Sequence, residues 1–174
     1  MKISLASLLA AAGLLAASSA GAVDLKWSGT TCFTMDSSFY MCKPDDKWDT
    51  QKTEESTRPV KLVYAKSGAN PVIWIILDNL ASAPSASDYA AKVRSRYESR
   101  GLKDITTTKE VVGGKDVYIV SGEDTAKGSR FSAALFWRSG LNKVLQIEYT
   151  AGTQDFSTYQ PQFMATVASV RDVR

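Results

Sequence analysis

The sequence predicts one α+β domain, an antiparallel β-sheet flanked by helices, whose first element is a disulfide-linked β-hairpin. Three observations lead to this fold class. Four strand-like segments follow one another across short turns in the second half of the chain, as in an antiparallel meander. Two other segments repeat apolar residues every three to four positions, which is typical of amphipathic helices. The two cysteines lie on either side of a short polar loop, where the strands of a hairpin face each other.

The first 22 residues are typical of a secretory signal peptide. Lys2 supplies a positive charge, an apolar run extends from Ile3 to Leu15, and Ala20-Gly21-Ala22 forms an A-x-A cleavage site, with a cut after Ala20 as the alternative. The run is shorter than the roughly 20 apolar residues of a transmembrane helix. We therefore expect residues 1–22 to be removed by a bacterial export system. Residues 23–174 would then form a single periplasmic or secreted domain without a transmembrane segment.

The cysteine pair defines the first predicted element. Segments Gly29–Met35 and Phe39–Lys43 are predicted strands, joined by a three-residue loop. With Met35 opposite Phe39, Cys32 lies opposite Cys42, close enough for a disulfide. The same register places four apolar side chains on the other, core-facing side of the hairpin: Phe33, Met35, Phe39 and Met41. Export to an oxidising compartment favours a structural disulfide, and a redox-active pair, which is more often spaced C-x-x-C, is the alternative.

The central part of the chain is predicted to form a loop followed by two strands. Pro44–Asp49 is the predicted loop, and the polar stretch Thr50–Arg58 is predicted as a short helical turn or a connector. Strands are predicted over Val60–Lys66 and Val72–Leu77, with a turn at residues 67–70. Because Val72–Leu77 is apolar on both faces, we expect it in the middle of the sheet, covered on both sides.

Two helices enclose the predicted meander. Ser87 is the predicted N-cap of a helix over Asp88–Arg100, and a second helix spans Tyr159–Arg171 with Pro161 in its first turn. The first helix buries Tyr89, Val93 and Tyr97, which repeat every four residues. The strands of the meander are predicted at Ile105–Val112, Val117–Ser121, Arg130–Arg138 and Lys143–Thr150.

The composition excludes several kinds of chemistry. The 174 residues include no histidine, so imidazole-activated serine or cysteine nucleophiles and histidine-ligated zinc are excluded. The net charge is +3, and acidic and basic residues alternate along the chain instead of forming a basic stripe. We therefore predict no nucleic-acid partner. The remaining catalytic groups are carboxylates, Lys, Tyr, Ser or a bound cation.

A few polar and aromatic residues are candidates for binding. Asp45, Asp46 and Asp49 carry oxygen ligands suited to a hard cation, but no EF-hand pattern surrounds them, so we interpret them as turn residues and predict no metal and no cofactor. Trp48 is the tryptophan expected to be partly exposed to a partner, whereas Trp74 and Trp137 are expected in the core.

A basic row on the first predicted helix is the other candidate binding feature. Lys92, Arg96 and Arg100 repeat every four residues. Such a row can make weak contacts with an anionic partner or with lipid head groups. A solvated helix face, with its last cations stabilised by the helix dipole, is the simpler interpretation.

The order of the elements and five segments carry a resemblance to known proteins. The segments are Phe39–Trp48 (FYMCKPDDKW), Gly114–Ser121 (GKDVYIVS), Phe131–Gly140 (FSAALFWRSG), Val144–Tyr149 (VLQIEY) and Phe163–Val170. The chain resembles the superfamily of PsbP, the bacterial DcrB-type periplasmic proteins, the mycobacterial LpqN-type lipoproteins and the eukaryotic Ran-release factor. It departs from their pattern at Lys47, where a glycine often precedes the tryptophan. The resemblance implies an α/β/α sandwich and a non-catalytic role, and no functional residue carries over.

These observations predict a function without a catalytic residue. We expect an exported accessory or binding protein of the bacterial cell envelope, whose partner is an envelope protein or a surface component. The alternative is a hydrolase that uses two carboxylates on a cell-wall or polysaccharide substrate. That alternative requires two carboxyl groups to converge in a cleft.

Overall fold

Two antiparallel sheets and two α-helices are the main elements of the part of the chain that the computed structural model describes, residues 25–53, 60–64, 71–81 and 85–173. In chain order the elements are β1 (Leu25–Ser28), β2 (Cys32–Met35), β3 (Phe39–Cys42), β4 (Trp48–Lys52), β5 (Val60–Tyr64), β6 (Val72–Asn79), α1 (Ala86–Ser99), β7 (Lys103–Val112), β8 (Lys115–Asp124), β9 (Ser129–Arg138), β10 (Lys143–Gly152), α2 (Phe156–Ser169) and β11 (Arg171–Asp172). The predicted signal peptide and the predicted turn at 67–70 lie outside the described residues.

The N-terminal hairpin has the predicted register. In β2 and β3, Cys32 pairs with Cys42 and Met35 pairs with Phe39, and a disulfide joins the two cysteines. The four apolar side chains expected on the core side are buried: Phe33, Met35, Phe39 and Met41. Strands β1 and β11, which the sequence did not predict, extend the hairpin to a four-stranded sheet in the order β1-β2-β3-β11.

The larger sheet has seven strands in the order β4-β5-β6-β10-β9-β8-β7. Strand β6 lies between β5 and β10, which confirms the predicted internal position, and β7 to β10 form the predicted antiparallel meander. Helix α1 packs on one face across β7, β8 and β9. Helix α2 and the small sheet cover the other face. The domain is therefore an α/β/α sandwich, and no helix in its described part is long and apolar enough to span a membrane.

Two helix starts differ from the sequence prediction. Helix α1 is capped by Ser85 rather than Ser87, because Ser85 Oγ accepts a hydrogen bond from the Asp88 amide at 3.1 Å and the Asp88 carboxylate accepts one from the Ser85 amide. Helix α2 begins at Phe156, whose buried ring packs against β10. This earlier start places Pro161 inside the helix instead of in its first turn.

The prediction of a helical turn or connector over Thr50–Arg58 is wrong for the first residues of that stretch. Residues 48–52 form β4, which pairs with β5 at the edge of the larger sheet. A polar strand is common at a sheet edge, because one of its sides meets water and charged residues there discourage pairing with other chains. Residues 48–52 therefore lack the apolar alternation from which an internal strand is predicted.

Two adjacent glycines in the turn between β7 and β8 should differ in how much their replacement by alanine destabilises the domain. Gly113 and Gly114 both have a positive φ, but a Cβ on Gly113 would lie 2.5 Å from the carbonyl oxygen of Ala168 in α2, whereas a Cβ on Gly114 would meet nothing within 4 Å. We expect Gly113→Ala to lower the free energy of unfolding by about 2 kcal/mol and Gly114→Ala by about 1 kcal/mol. Urea denaturation measures both, and equal losses would contradict close packing of this turn on α2.

Candidate ligand-binding cleft

A cleft opens on the α1 face of the larger sheet, beside the strands that α1 does not cover. Helix α1 packs mainly over β7, β8 and β9, so the α1 sides of β6 and β10 form the floor of the cleft. Two adjoining cavities of about 290 and 280 Å³ share Tyr97, Arg100 and Glu148 as lining residues. Small-molecule sites usually have volumes of about 300–1,000 Å³, so the two cavities together suit a small ligand.

Strand register determines which side chains form the floor. Glu148 pairs with Trp74 and Gln146 pairs with Ile76 across β10 and β6, so alternate residues of both strands face the cleft. Gln146 is 2% exposed and Glu148 is 7% exposed, which makes both of them buried polar groups within an otherwise apolar segment of β10. Buried polar groups of this kind are held by hydrogen bonds.

One tyrosine of α1 connects these polar groups. The Tyr97 hydroxyl donates to Glu148 Oε2 at 2.6 Å, and Gln146 Nε2 donates to the Tyr97 hydroxyl oxygen at 2.9 Å and to Glu148 Oε2 at 3.1 Å. The three side chains form a closed triangle of hydrogen bonds. This triangle attaches the helix to β10 and holds the Glu148 carboxylate in place.

A second tyrosine holds the other carboxylate of the cleft. Two turns before Tyr97, the Tyr89 hydroxyl donates to Asp78 Oδ2 on β6. Burial, together with the hydrogen bond to Asp78, raises the pKa of Tyr89 above its ordinary value. The hydroxyl therefore stays protonated at physiological pH and continues to donate to Asp78.

The two carboxylates are attached at widely spaced backbone positions. Their tyrosine partners are eight residues apart on α1, which corresponds to about 12 Å along a helix. The strand register agrees, because Asp78 pairs with Val144, and four residues of β10 between Val144 and Glu148 span about 13 Å. Glycosidases hold their two carboxyl groups about 5–5.5 Å apart when they retain configuration and about 6.5–9.5 Å apart when they invert it. The backbone positions that carry Asp78 and Glu148 are more widely spaced than either of these carboxyl pairs.

Solved structures with the same architecture place this domain among known folds. PsbP (CyanoP) from Synechocystis sp. PCC 6803 superposes with a TM-score of 0.55 at 9% identity, over 95% of this chain and 98% of the other. LpqN from Mycobacterium tuberculosis, a protein involved in cell envelope biogenesis, superposes with a TM-score of 0.53 at 16% identity, over 75% of this chain and 80% of the other. The chain has the PsbP/LpqN-like fold. Comparisons with protein-family models and with curated proteins found no match.

Within the PsbP/LpqN-like fold, the predicted basic row divides into two parts. Lys92, Arg96 and Arg100 are all exposed on α1. Arg96 and Arg100 line the first cavity, and the Arg100 guanidinium lies over the Tyr97 ring at 5.9 Å from its centroid. Lys92 is not among the described residues that line either cavity. Two of the three cations therefore belong to the rim of the cleft.

The expected exposure of the tryptophans is reversed. Trp48 is completely buried, and its Nε1 donates to Gln162 Oε1 at 2.7 Å, because α2 packs over this end of β4. The prediction of a partly exposed Trp48 is therefore wrong. Trp74, predicted in the core, is partly exposed in the second cavity, because α1 covers β7 to β9 instead of β6. Trp137 is also partly exposed rather than buried, at the margin of the α1 core.

The aspartates considered as cation ligands make a turn. Asp45 Oδ1 accepts a hydrogen bond from the Lys47 amide at 2.8 Å, as in an Asx turn. In the described ranges, no group of three or more Asp, Glu, Cys or His side chains could hold a metal ion. The polar residues in this loop shape the chain reversal that leads into β4.

The sequence contains a weak signal of the cleft that matches no known motif. Gln146 and Glu148 interrupt VLQIEY, a segment of β10 whose other members are buried apolar or aromatic residues. Polar residues at alternate positions of an otherwise apolar internal strand share one face. Their presence there indicates either a polar partner within the fold or a ligand, and a partner from α1 was not foreseeable from β10 alone.

Proposed function

We propose that the chain is an exported, non-catalytic binding protein of the bacterial cell envelope and that the cleft beside α1 is its binding site. The observation that carries this proposal is the floor of the cleft, where buried polar groups of β10 are held by Tyr97 next to two exposed arginines. Such a hydrogen-bonded polar floor, beside a cavity that also has apolar lining residues, is suited to holding and orienting a small ligand.

The separation of the carboxylates favours binding over hydrolysis. Asp78 and Glu148 are held by Tyr89 and Tyr97, whose backbone positions lie about 12 Å apart along one helix. Such wide backbone spacing, with each carboxylate bonded to its own tyrosine, disfavours a general acid and a nucleophile or base acting on one glycosidic bond. With no histidine in the chain, imidazole is not available as another base.

An envelope location is supported by two independent features. The N-terminal segment has the pattern of a signal peptide, and the disulfide between Cys32 and Cys42 suits an oxidising compartment outside the cytosol. LpqN, whose fold this chain shares, is involved in cell envelope biogenesis in its own organism. In this proposal the physiological partner is an envelope protein or surface component that exchanges the ligand with the cleft.

Equilibrium dialysis tests both the site and the lack of catalysis. The exported protein is dialysed against the small-molecule fraction of its native envelope, and the retained compounds are identified by mass spectrometry. We expect a compound that the wild type retains with unchanged mass, that Arg100→Glu loses and that Lys92→Glu keeps, because Arg100 lines both cavities and Lys92 lines neither among the described residues.

Two results would contradict the proposal. Equal retention by the Arg100 and Lys92 variants would exclude the cleft as the binding site. Conversion of the compound by the wild type, abolished by Asp78→Asn or Glu148→Gln, would show an enzyme.

A further inference from the structure

The orientation of the Gln146 amide leaves one buried acceptor directed away from the hydrogen-bonded triangle. Nε2 lies 3.1 Å from Glu148 Oε2, and since a carboxylate only accepts, the donor end of the amide must face it. Oε1 therefore points the other way, and it has no hydrogen-bond partner among the described residues although Gln146 is 2% exposed. A buried acceptor of this kind calls for an N–H or O–H donor.

Glu148 offers a second acceptor and an uncompensated charge. Both of its hydrogen bonds end on Oε2, and in the described part of the chain Oε1 has no partner. No cation of the described residues forms an ion pair with this 7% exposed carboxylate. Buried carboxylates are normally paired with a positive charge. The floor of the cleft therefore suits a positively charged group that donates several hydrogen bonds.

The rim of the cleft carries positive charge, whereas the floor carries the negative charge of Glu148. Arg96 and Arg100 line the cleft, are exposed, and form no ion pair with any described carboxylate. A guanidinium binds a carboxylate through two parallel hydrogen bonds. Around Glu148, the cleft thus presents acceptors and a negative charge at its floor and two arginines at its rim. The other charged lining residues have partners, because Asp78 is bonded to Tyr89 and Asp124 pairs with Lys127.

The second cavity adds an apolar surface to this arrangement. Trp74 lies next to Glu148 in the strand register, and Leu102 and Phe131 line the same cavity. A nonpolar group of a ligand held at Glu148 and Arg100 would therefore reach the Trp74 ring, because Glu148 and Arg100 line both cavities.

We propose that the cleft binds a small zwitterion with a primary ammonium group, a carboxylate and an apolar side chain, which is the chemistry of an amino acid or a short peptide. This inference rests on the proposed function and names its ligand. The ammonium group, with three donors and no acceptor, donates to Gln146 Oε1 and Glu148 Oε1. The carboxylate accepts hydrogen bonds from Arg100 and Arg96, and the side chain packs against Trp74.

Calorimetric titration of the exported protein with four probes tests the two charged ends. Phenylalanine carries both groups, phenethylamine carries only the ammonium, N-acetylphenylalanine carries only the carboxylate, and phenylalanyl-alanine represents short peptides. We expect phenylalanine or the dipeptide to bind, and the loss of either charged group to weaken binding about tenfold or more. The tighter of the two zwitterions identifies the source as free amino acids or peptides. Equal affinity for phenethylamine, or no binding of either zwitterion, would overturn the proposal.

Variants assign the ends of the ligand to residues. Arg100→Gln should lower the affinity for the zwitterion about tenfold and leave the affinity for phenethylamine unchanged. Gln146→Leu should lower both affinities. Lys92→Gln is the matched control, because it removes an exposed cation of the same helix that lines neither cavity among the described residues. Since Arg100 is exposed, its replacement leaves the core intact even where Gln146→Leu reduces stability. An equal loss of affinity in Lys92→Gln would show that the rim attracts the ligand only by its overall positive charge, and would contradict the proposal.

The two proposals fail in different ways. When no zwitterion binds but dialysis still retains an envelope compound in an Arg100-dependent manner, only the ligand class is wrong. When Arg100→Glu and Lys92→Glu retain the same compounds, the cleft itself is not the site.

Discussion

Trp48→Ala is expected to lower the free energy of unfolding by about 4 kcal/mol, the loss typical of a fully buried tryptophan. The indole is completely buried between the edge of the larger sheet and α2, and its Nε1 donates to Gln162 Oε1. The truncation removes a large apolar surface, leaves a cavity and deprives the Gln162 side chain of its donor. Urea denaturation followed by far-UV circular dichroism measures the loss, since the signal does not depend on the tryptophan that is removed.

Trp74→Ala is the matched control for this prediction. Trp74 is a tryptophan of the same sheet, but it is partly exposed in the cleft, so its truncation should cost about 1 kcal/mol. The same change should lower the affinity for a ligand that reaches the second cavity. A larger loss of stability for Trp74→Ala than for Trp48→Ala would contradict the positions of α1 and α2 on the sheet.

The contrast between these tryptophans shows what sequence reasoning could establish. The hairpin register and the meander were predictable because both depend on alternation within a few residues and on short turns. The burial of Trp48 depends on contact with Gln162, far away along the chain. The exposure of Trp74 depends on the lateral position of α1 over the sheet. No local pattern encodes either contact.

The candidate site was predictable only in part for the same reason. Arg96 and Arg100 were found from their helical spacing, which places both on one face of α1. Their counterparts on the floor, Gln146 and Glu148, come from β10, which follows α1 only after three other strands. The cleft exists because α1 passes beside β10 and brings Tyr97 onto both side chains. Only the packing of the helix on the sheet combines these residues.

Removal of the disulfide by Cys32→Ser with Cys42→Ser is expected to lower the free energy of unfolding by about 3 kcal/mol, the amount that the chain-entropy model assigns to a loop of this length. The loss should reach the whole domain. The hairpin loop is attached to the larger sheet, where the Arg138 guanidinium donates to the Ser38 carbonyl oxygen and Lys143 donates to Asp36. Urea denaturation with and without reductant measures it, and reduced wild type should match the untreated double variant.

Because the disulfide should form only on export, the stability of the protein should depend on its compartment. Protein recovered from the envelope should lack residues 1–22 and, by intact mass, the two thiol hydrogens of Cys32 and Cys42. A variant without residues 2–22 stays in the reducing cytosol, where it should keep both thiols and the lower stability of the reduced state. The double serine variant is the control, since compartment and reductant should leave its stability unchanged. Free thiols in the exported protein, or equal stability of exported and cytosolic wild type, would contradict a structural disulfide formed on export.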